Sequence, residues 1–240
     1  MDALVVKSLT KRFGSKVAVN HFDLSIKEGE FLSLLGLNGA GKTTAIRMMT
    51  GRIDPSEGDI FIFGFDMKKS PQKCKSYLNV APQEPAIAPR LTVEENLSFI
   101  ASLYQQTDVS SRVEETLEEF SLQKVGKQKA KSLSGGYQKR LSLAMAFISH
   151  PKLLFLDEPT LGLDVISRNE LWKDLLRLKK KMTIVLTTHD LKEAEVLSDR
   201  VAILNHGTCS ICASVEEIKK QAGKENFEDA FLSFAQGEEQ

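Results

Sequence analysis

An α/β fold is predicted for this chain by three features of its sequence. Short apolar segments suited to buried parallel strands alternate with segments whose apolar residues repeat at helical spacing. The first thirty residues differ, because two strand-like segments near a turn predict an antiparallel β-subdomain there. Between about residues 85 and 149 the apolar spacing becomes helical, which predicts a helical subdomain inserted into the α/β core.

The individual elements follow from local pattern, in chain order. Strands are expected at "LVVKSLTKRF", "KVAVNHFDLSI", "EFLSLL", "KLLFLDEP" and "KMTIVLTTHD". The last three are rich in apolar or β-branched residues, as strands buried on both faces are. Helices are expected at "TTAIRMMT", "TVEENLSFIASLYQQ" and "SRVEETLEEFSL", and Gly51 is expected to end the first of them as a C-cap.

We expect these elements to form a single domain. A chain of 240 residues can bury one sizeable core, or one core with a smaller lobe. The expected parts are a core at about 1–84 and 150–220, a helical subdomain at about 85–149, and a tail at about 221–240. In the tail, Phe227, Phe231 and Phe234 share one helical face, which we expect to pack on the chain's own body rather than on a partner.

The charge balance argues against a nucleic-acid partner, and none is expected. Lys plus Arg and Asp plus Glu both number 32, so the formal net charge is zero and gives no overall attraction to a polyanion. No apolar run approaches the roughly 18 residues that suggest a membrane span. The start of the sequence also lacks the apolar stretch of a signal peptide, so we expect a cytoplasmic protein.

Two of the three cysteines, Cys209 and Cys212, form a C-x-x-C pair. No second pair of Cys or His completes a zinc-type spacing. The pair lies in an alternating stretch after the turn-forming residues "NHG", which predicts one strand of a hairpin. A structural strand is therefore a better interpretation than a redox or metal site.

A phosphate-binding loop is predicted by "GLNGAGKTT", which fits G-x-x-x-x-G-K-[ST] between a strand and a helix. The glycines let successive backbone N–H groups converge on a phosphate, and the helix that follows adds its positive end. Lys42 can reach the β- and γ-phosphates, and the Thr43 hydroxyl can ligate Mg²⁺. The residues expected to bind the nucleotide here are Asn38, Gly39, Ala40, Gly41, Lys42, Thr43 and Thr44.

Two adjacent acids, Asp157 and Glu158, follow the buried strand of "LLFLDEP". The carboxyl end of such a strand is the edge where α/β folds bind ligands, so Asp157 is a candidate second magnesium partner. Glu158 is placed to orient or deprotonate an attacking water. Two acids can also form a solvated turn, but the apolar strand before them favours a site.

A second loop suited to phosphate binding, Ser134 to Gly136, directly precedes the predicted helix "YQKRLSLAMAFISH". One triphosphate bound at a phosphate loop usually needs only one such helix start. One explanation is that Ser134, Gly135 and Gly136 serve the nucleotide of another copy.

In this order, "GLNGAGKTT", "APQEP", "LSGGYQKR", "LLFLDEPTLGLD" and "LTTHD" resemble the ATP-binding subunit of ABC transporters. The resemblance covers essentially the whole chain. It implies a nucleotide-hydrolysing phosphate-loop (P-loop) core that uses ATP and Mg²⁺. Two positions depart from the commonest pattern: Tyr137 replaces a glutamine in "LSGGYQKR", and Phe13 replaces the more usual tyrosine beside adenine.

The resemblance also implies roles for residues that are ambiguous alone. Gln83 is implied to sense Mg²⁺ and water and to hinge the helical subdomain, while His189 contacts the γ-phosphate. Asp164 is implied to lie at a dimer seam. Phe13 is implied to stack on adenine, with Val19 flanking the base. Without the resemblance, Gln83 and Asp164 could be turn residues, Phe13 an edge-strand aromatic and His189 a histidine at a strand end.

The implied sites comprise three sets of residues. Catalysis is assigned to Lys42, Gln83, Glu158 and His189. Magnesium is assigned to Thr43, Gln83 and Asp157. The shared nucleotide site adds Phe13, Ser134, Gly135, Gly136 and Asp164 to the phosphate loop.

The function implied is an ATPase subunit that dimerises head to tail around two ATP molecules. Its expected partners are a second copy or a related ATPase subunit, and an integral membrane transporter subunit on whose cytoplasmic face it sits. The subgroup it most resembles is the bacterial exporters of drug and polysaccharide type. The alternative is a soluble ABC-type ATPase such as an iron–sulfur assembly factor, and a module that holds ATP without turnover is a weaker one.

Overall fold

The computed structural model describes residues 1–104 and 108–235, and it confirms the predicted α/β fold class. The strands of the described residues are β1 Asp2–Phe13, β2 Lys16–Lys27, β3 Phe31–Leu35, β4 Glu57–Ile62, β5 Phe65–Asp66, β6 Leu78–Ala81, β7 Leu153–Asp157, β8 Thr183–Thr188, β9 Arg200–Asn205 and β10 Thr208–Ala213. The α-helices of the described residues are α1 Lys42–Met49, α2 Pro71–Tyr77, α3 Val93–Leu103, α4 Val109–Glu119, α5 Gly135–Phe147, α6 Val165–Leu178, α7 Leu191–Leu197, α8 Val215–Ala222 and α9 Phe227–Ala235. Short 3₁₀ turns occur at Gln123–Val125 and Ala130–Ser132.

The N-terminal strands form the predicted antiparallel sheet, in the order β2–β1–β4–β5. β1 and β2 are twelve residues each and pair along most of their length, with several register shifts. Their alternating apolar side chains pack on one side against α1 and the second sheet. The N-terminal subdomain therefore covers the helix that follows the phosphate loop.

The second sheet has the order β10–β9–β3–β8–β7–β6. β9, β3, β8, β7 and β6 run parallel, and β10 is antiparallel to β9. Every residue of β3, β7 and β8 is buried, as their apolar sequences predict. Because these three strands are adjacent and parallel, the segments that follow them meet at one edge of the sheet.

Helices α3 and α4 lie between β6 and β7 in the chain and share an apolar cluster with α5. Thr92 and Glu95 form a capping box at the start of α3, and Asp108 caps α4. The rings of Phe120 and Phe147 meet edge to face at 5.3 Å, which joins this region to α5. The predicted helical insertion is therefore present, and within it α3 and α4 pack with α5.

The tail and the cysteine pair both lie within the chain's own structure. Phe227 and Phe231 of α9 are buried and Phe234 is partly buried, in a cluster with residues of β9 and α8. Cys209 and Cys212 lie in β10, so the hairpin prediction is confirmed. Burial raises the pKa of Cys209 to about 12, which disfavours the reactive thiolate.

The last five residues, including the acidic end of the sequence, lie outside the described part of the chain. Within residues 1–104 and 108–235, no helix has the combined length and apolar character that a bilayer crossing requires.

Candidate nucleotide-binding site

A cleft of about 390 Å³ opens at the carboxyl edge of β3, β7 and β8. Its lining brings together most of the phosphate-loop residues, the second acid and the histidine that the sequence singled out. The lining residues are Lys16, Ala18, Asn38, Gly39, Ala40, Gly41, Lys42, Thr43, Thr44, Gln83, Glu158, Leu161 and His189.

The phosphate loop has a backbone that specifically requires glycine at Gly41. This residue has φ 103°, and a Cβ there would lie 2.6 Å from the carbonyl oxygen of Ala18. It is also the N-cap of α1, and it supplies no side chain to bond the first N–H groups of the helix. These N–H groups stay free to bind an anion at the positive end of the helix.

Lys42 is held in a fixed position although it is the first residue of α1. Its side chain is 6% exposed, and Nζ donates to the carbonyl oxygens of Gly36 at 2.7 Å and Leu37 at 3.3 Å. Glu158 Oε1 lies 3.5 Å from the same nitrogen. The loop therefore folds around a buried ammonium group, which provides positive charge at the floor of the cleft.

Asp157 lies at the end of β7 between two threonine hydroxyls. Thr187 Oγ1 donates to Asp157 Oδ1 at 2.7 Å, and Thr43 Oγ1 lies 3.3 Å from the same oxygen. Asp157 and Thr187 are cross-strand partners on β7 and β8. This arrangement orients the carboxylate toward the start of α1.

Glu158 has a left-handed backbone with φ 48°, which costs a non-glycine residue about 1–3 kcal/mol. Its N–H is held at 3.1 Å from both the carbonyl and the hydroxyl oxygens of Thr187. The turn directs the carboxylate into the cleft, where Oε2 lies 2.8 Å from His189 Nδ1. Glu158 thus contacts both Lys42 and His189, and its side chain is only 10% exposed.

Gln83 lines the cleft from the segment after β6, and its main-chain carbonyl accepts a hydrogen bond from Lys139 Nζ of α5. Burial lowers the pKa of Lys139, against the opposing effect of the negative charges of Glu158, Asp157 and Glu84. The segment that contains Gln83 is therefore joined to the helix that Ser134 opens.

The remaining predicted residues lie outside the cleft lining of the described chain. Ser134 is the N-cap of α5, where its hydroxyl accepts a hydrogen bond from the Tyr137 N–H at 3.4 Å. Asp164 is the N-cap of α6, and hydrogen bonds from Ser167 lower its pKa. A Cβ on Gly136 would lie 2.7 Å from Ser167 Oγ, so the two helix starts are neighbours.

The adenine position is only partly as expected. Val19 is fully buried in the core, so it does not offer a surface to a base, and Ala18 lines the cleft instead. Phe13 is 50% exposed and pairs across the hairpin with Lys16, which does line the cleft. The ring therefore lies on the hairpin that borders the cleft, with a face open to solvent.

Sequence reasoning missed Thr187 and Lys139 as neighbours of the acidic pair. Thr187 is within the quoted motif "LTTHD", but its contact with Asp157 depends on β7 and β8 being adjacent strands. Lys139 is within "LSGGYQKR", and its contact depends on how α5 packs beside the Gln83 segment. Neither neighbour relation is a local property of the sequence.

Comparison with known proteins gives the family. Residues 19–161 match the family model described as ABC transporter. ATP-binding cassette sub-family A member 13 of Homo sapiens is 38% identical over 222 residues, which are 90% of this chain and 4% of that protein. ABC transporter A family member 12 of Arabidopsis thaliana is 40% identical over 212 residues, or 87% of this chain and 23% of that protein. This chain thus spans a small part of the length of these relatives.

Solved structures agree over the whole fold. A structure described as an ATP-binding subunit of an ABC transporter has a TM-score of 0.86 and 28% identity, covering 97% of this chain and 99% of its own. A dimeric ATP-binding cassette in a post-hydrolysis state, bound to ADP and Pi, has a TM-score of 0.78 and 26% identity, covering 88% and 98%. This chain belongs to the ABC transporter family, as an ATP-binding and ATP-hydrolysing domain.

Proposed function

We propose that the cleft is the site of ATP hydrolysis and that Lys42, Glu158 and His189 carry it. The supporting observation is that one carboxylate, Glu158, contacts both the buried ammonium group and the histidine. Lys42 binds the β- and γ-phosphates, and Glu158 orients a water and takes its proton as the water attacks the γ-phosphorus. His189 donates a hydrogen bond to the γ-phosphate, and ADP leaves with its terminal oxygen as the leaving group.

The residues beside the phosphate loop fit Mg²⁺. A hydroxyl and a carboxylate, from Thr43 and Asp157, lie 3.3 Å apart, and Gln83 lines the cleft beside them. Hard oxygen ligands of this kind suit Mg²⁺, which keeps several waters and binds one or two protein oxygens with the phosphates. The ion neutralises phosphate charge when bound. Thr187 fixes the Asp157 carboxylate for this role through its 2.7 Å hydrogen bond.

We propose that each nucleotide also contacts a second copy of this chain or a related subunit. Ser134, Gly135 and Gly136 lie at an exposed helix start away from the cleft of their own chain. Beside them, the Asp164 segment exposes Val165 by 62% and Ile166 by 73%. Apolar side chains next to an anion-binding helix start are suited to a dimer seam. The dimeric ATP-binding cassette among the solved structures supports this arrangement.

We propose that a membrane transporter subunit docks on an apolar groove beside the helical subdomain. The groove, about 200 Å³, includes Val80, Pro82, Ile100, Leu103 and Tyr104. Leu103 is 62% exposed, although it is a large apolar residue. Pro82 directly precedes the cleft-lining Gln83, so a partner seated in the groove is one residue from the site.

Several parts of this proposal concern the whole transporter. The chain would sit on the cytoplasmic face of a membrane, and residues 85–149 and 221–240 would form the helical subdomain and tail of a single domain. The proposed direction is export, of the drug or polysaccharide type by motif resemblance. One relative of the A family, 37% identical over 224 residues, is named a glucosylceramide transporter in Homo sapiens, which supports a role in transport.

The hydrolysis proposal is tested with Lys42→Ala. Loss of a charge-assisted phosphate contact should weaken ATP binding by about 2–3 kcal/mol and abolish turnover. Isothermal titration calorimetry and a phosphate-release assay give the two quantities. Unchanged ATP affinity in the folded variant would remove Lys42 from the phosphate site.

The partner proposal is tested by membrane binding. Leu103→Glu places a charge in the groove, whereas Leu232→Glu places one on α9, where the leucine is 39% exposed. Sedimentation with inverted native membrane vesicles stripped of peripheral proteins should show reduced binding for Leu103→Glu only. If the wild-type chain does not sediment with these vesicles but hydrolyses ATP, the soluble ABC-type ATPase, such as an iron–sulfur assembly factor, replaces the transporter.

A further inference from the structure

Two side-chain contacts join helices α6 and α7. Trp172 Nε1 donates to Glu193 Oε1 at 3.0 Å, and Arg168 Nη1 donates to Asp190 Oδ2 at 3.1 Å. We call these four residues the α6–α7 clasp. Neither contact involves a residue of the cleft lining.

The helix geometry places the four side chains in register. Arg168 and Trp172 are four residues apart on α6 and therefore share a face, with the guanidinium 5.1 Å from the indole centroid. Asp190 is the N-cap of α7, and Glu193 is its third residue. Asp190 Oδ1 bonds the N–H groups of Lys192 and Glu193, which leaves Oδ2 for Arg168. The contacts therefore fix the start of α7 in particular.

The Glu193 carboxyl is buried to an extent that is unusual for a side chain with a purely structural role. Glu193 has no exposed surface and Trp172 is 6% exposed. Burial raises the pKa of Glu193, against the opposing effect of hydrogen bonds to its carboxylate from the side chains of Thr188, Trp172 and Thr160. An apolar side chain would fill such a position at lower cost. A carboxyl that accepts a directed bond from an indole instead specifies where α7 lies on α6.

The two ends of the clasp lie at two functional segments. On α7, Asp190 directly follows His189, whose Nδ1 lies 2.8 Å from Glu158 Oε2. On α6, the helix starts at Asp164 and the exposed Val165, which we assign to the dimer seam. A rigid connection between α6 and α7 therefore links the seam to the histidine.

We propose that Trp172 and Glu193 are positioning residues for ATP hydrolysis, which hold His189 within reach of Glu158 and tie its position to the Asp164 segment. This inference rests on the proposed role of His189. Neither residue lines the cleft, so their contribution is to turnover rather than to ATP binding. The closure of a second copy on Asp164 is transmitted to His189 through the same contacts.

The first experiment measures steady-state ATP hydrolysis of Trp172→Phe, which keeps an aromatic ring but removes the N–H donor. Its kcat should fall about fivefold, the factor that corresponds to one ordinary hydrogen bond, with KM for ATP unchanged. Glu193→Gln keeps an accepting oxygen and should retain most of the activity. Ile62→Val, a fully buried change in the antiparallel sheet, controls for a general loss of stability and should leave kcat unchanged.

The second experiment combines Trp172→Phe with His189→Ala. If the clasp acts through His189, Trp172→Phe should lower kcat no further in the His189→Ala background. An equal loss in both backgrounds, or wild-type kcat for Trp172→Phe alone, would overturn the clasp while leaving the proposed hydrolytic function intact. Full activity of His189→Ala would instead contradict the proposed role of His189. If Trp172→Phe does not fold, Arg168→Met replaces it, because its partly exposed ion pair contributes less to stability.

Discussion

Two helix starts in this molecule present N–H groups to an anion in opposite ways. At α1 the N-cap is Gly41, which brings no side chain, and the cleft-facing loop is completed by the buried Lys42. At α5 the N-cap is Ser134, whose own hydroxyl accepts from Tyr137 N–H, and the start is exposed. The first start lies in a cleft that its own chain assembles, whereas the second lies outside it.

This difference shows that a sequence suited to phosphate binding does not by itself form a complete binding site. The α1 start is enclosed, since Gly41 has φ 103° and a Cβ there would lie 2.6 Å from the Ala18 carbonyl oxygen. At the α5 start a Cβ on Gly135 would meet no heavy atom within 4 Å, and only Gly136, one residue further, packs closely against Ser167. A start that is exposed at Ser134 and Gly135 suits a ligand that arrives with a partner, which is the arrangement we propose.

The largest effect is expected at Glu158, which lines the cleft at the α1 start. Glu158→Gln should lower kcat by about 10²- to 10⁴-fold, because it removes the proposed general base. ATP binding should persist, and the variant should accumulate as an ATP-held dimer on size-exclusion chromatography with MgATP. Near-normal turnover would take Glu158 out of the catalytic role.

A smaller effect concerns the backbone of the two starts. Gly41→Ala should lower the free energy of unfolding by about 1–3 kcal/mol, because the new Cβ meets the Ala18 carbonyl at a left-handed φ. Gly135→Ala is the matched control and should stay within about 0.5 kcal/mol of wild type. Chemical denaturation without nucleotide measures the free energy of unfolding of both variants. Equal losses in the two variants would contradict the difference that we describe between the α1 and α5 starts.

The shared-site arrangement predicts partial recovery of activity in mixed dimers. Ser134→Arg and Glu158→Gln should each be inactive alone, because both sites of either homodimer lack one component. Random mixing makes about half of the dimers mixed, each with one of its two sites intact, so activity should recover to about one quarter if the sites act independently.

Co-expression of the two variants and an ATPase assay on the purified mixture test this arrangement. A mixture as inactive as its parents, although mixed dimers form, would argue for a site within one chain or for sites that must act together. Single-turnover hydrolysis on the mixed dimer separates these two cases, because a lone shared site should still complete one hydrolysis.

The smallest expected effect is at the edge of the α1 cleft. Phe13→Ala should raise the Kd for ATP by a factor that corresponds to about 0.5–1.5 kcal/mol, the usual contribution of an aromatic stack. Phe13→Tyr should bind as wild type does, since it keeps the stacking face. Calorimetry with ATP and with inorganic triphosphate checks the assignment, because only ATP binding should respond if the ring contacts adenine.

Local sequence was sufficient for the strands and helices that carry the motifs. β3, β7 and β8 were predictable because their apolar residues suit burial on both faces, and α1 because Gly51 follows its last turn. The adenine flank was not predictable in the same way. Val19 was expected beside the base, but the alternation of β2 turns it into the core and leaves Ala18 at the cleft.

The sequence by itself determined the chemistry of the site: which residues can bind phosphate, ligate a hard cation or move a proton, and on which type of element each lies. Only the tertiary structure decided which of these residues meet. The strand order places β8 beside both β3 and β7, which brings His189 to Glu158 and Thr187 to Asp157. It also leaves Ser134 outside the cleft. The physical reason is that side-chain chemistry and hydrogen-bonded periodicity are local, whereas strand neighbours are set by the burial of apolar surface over the whole chain.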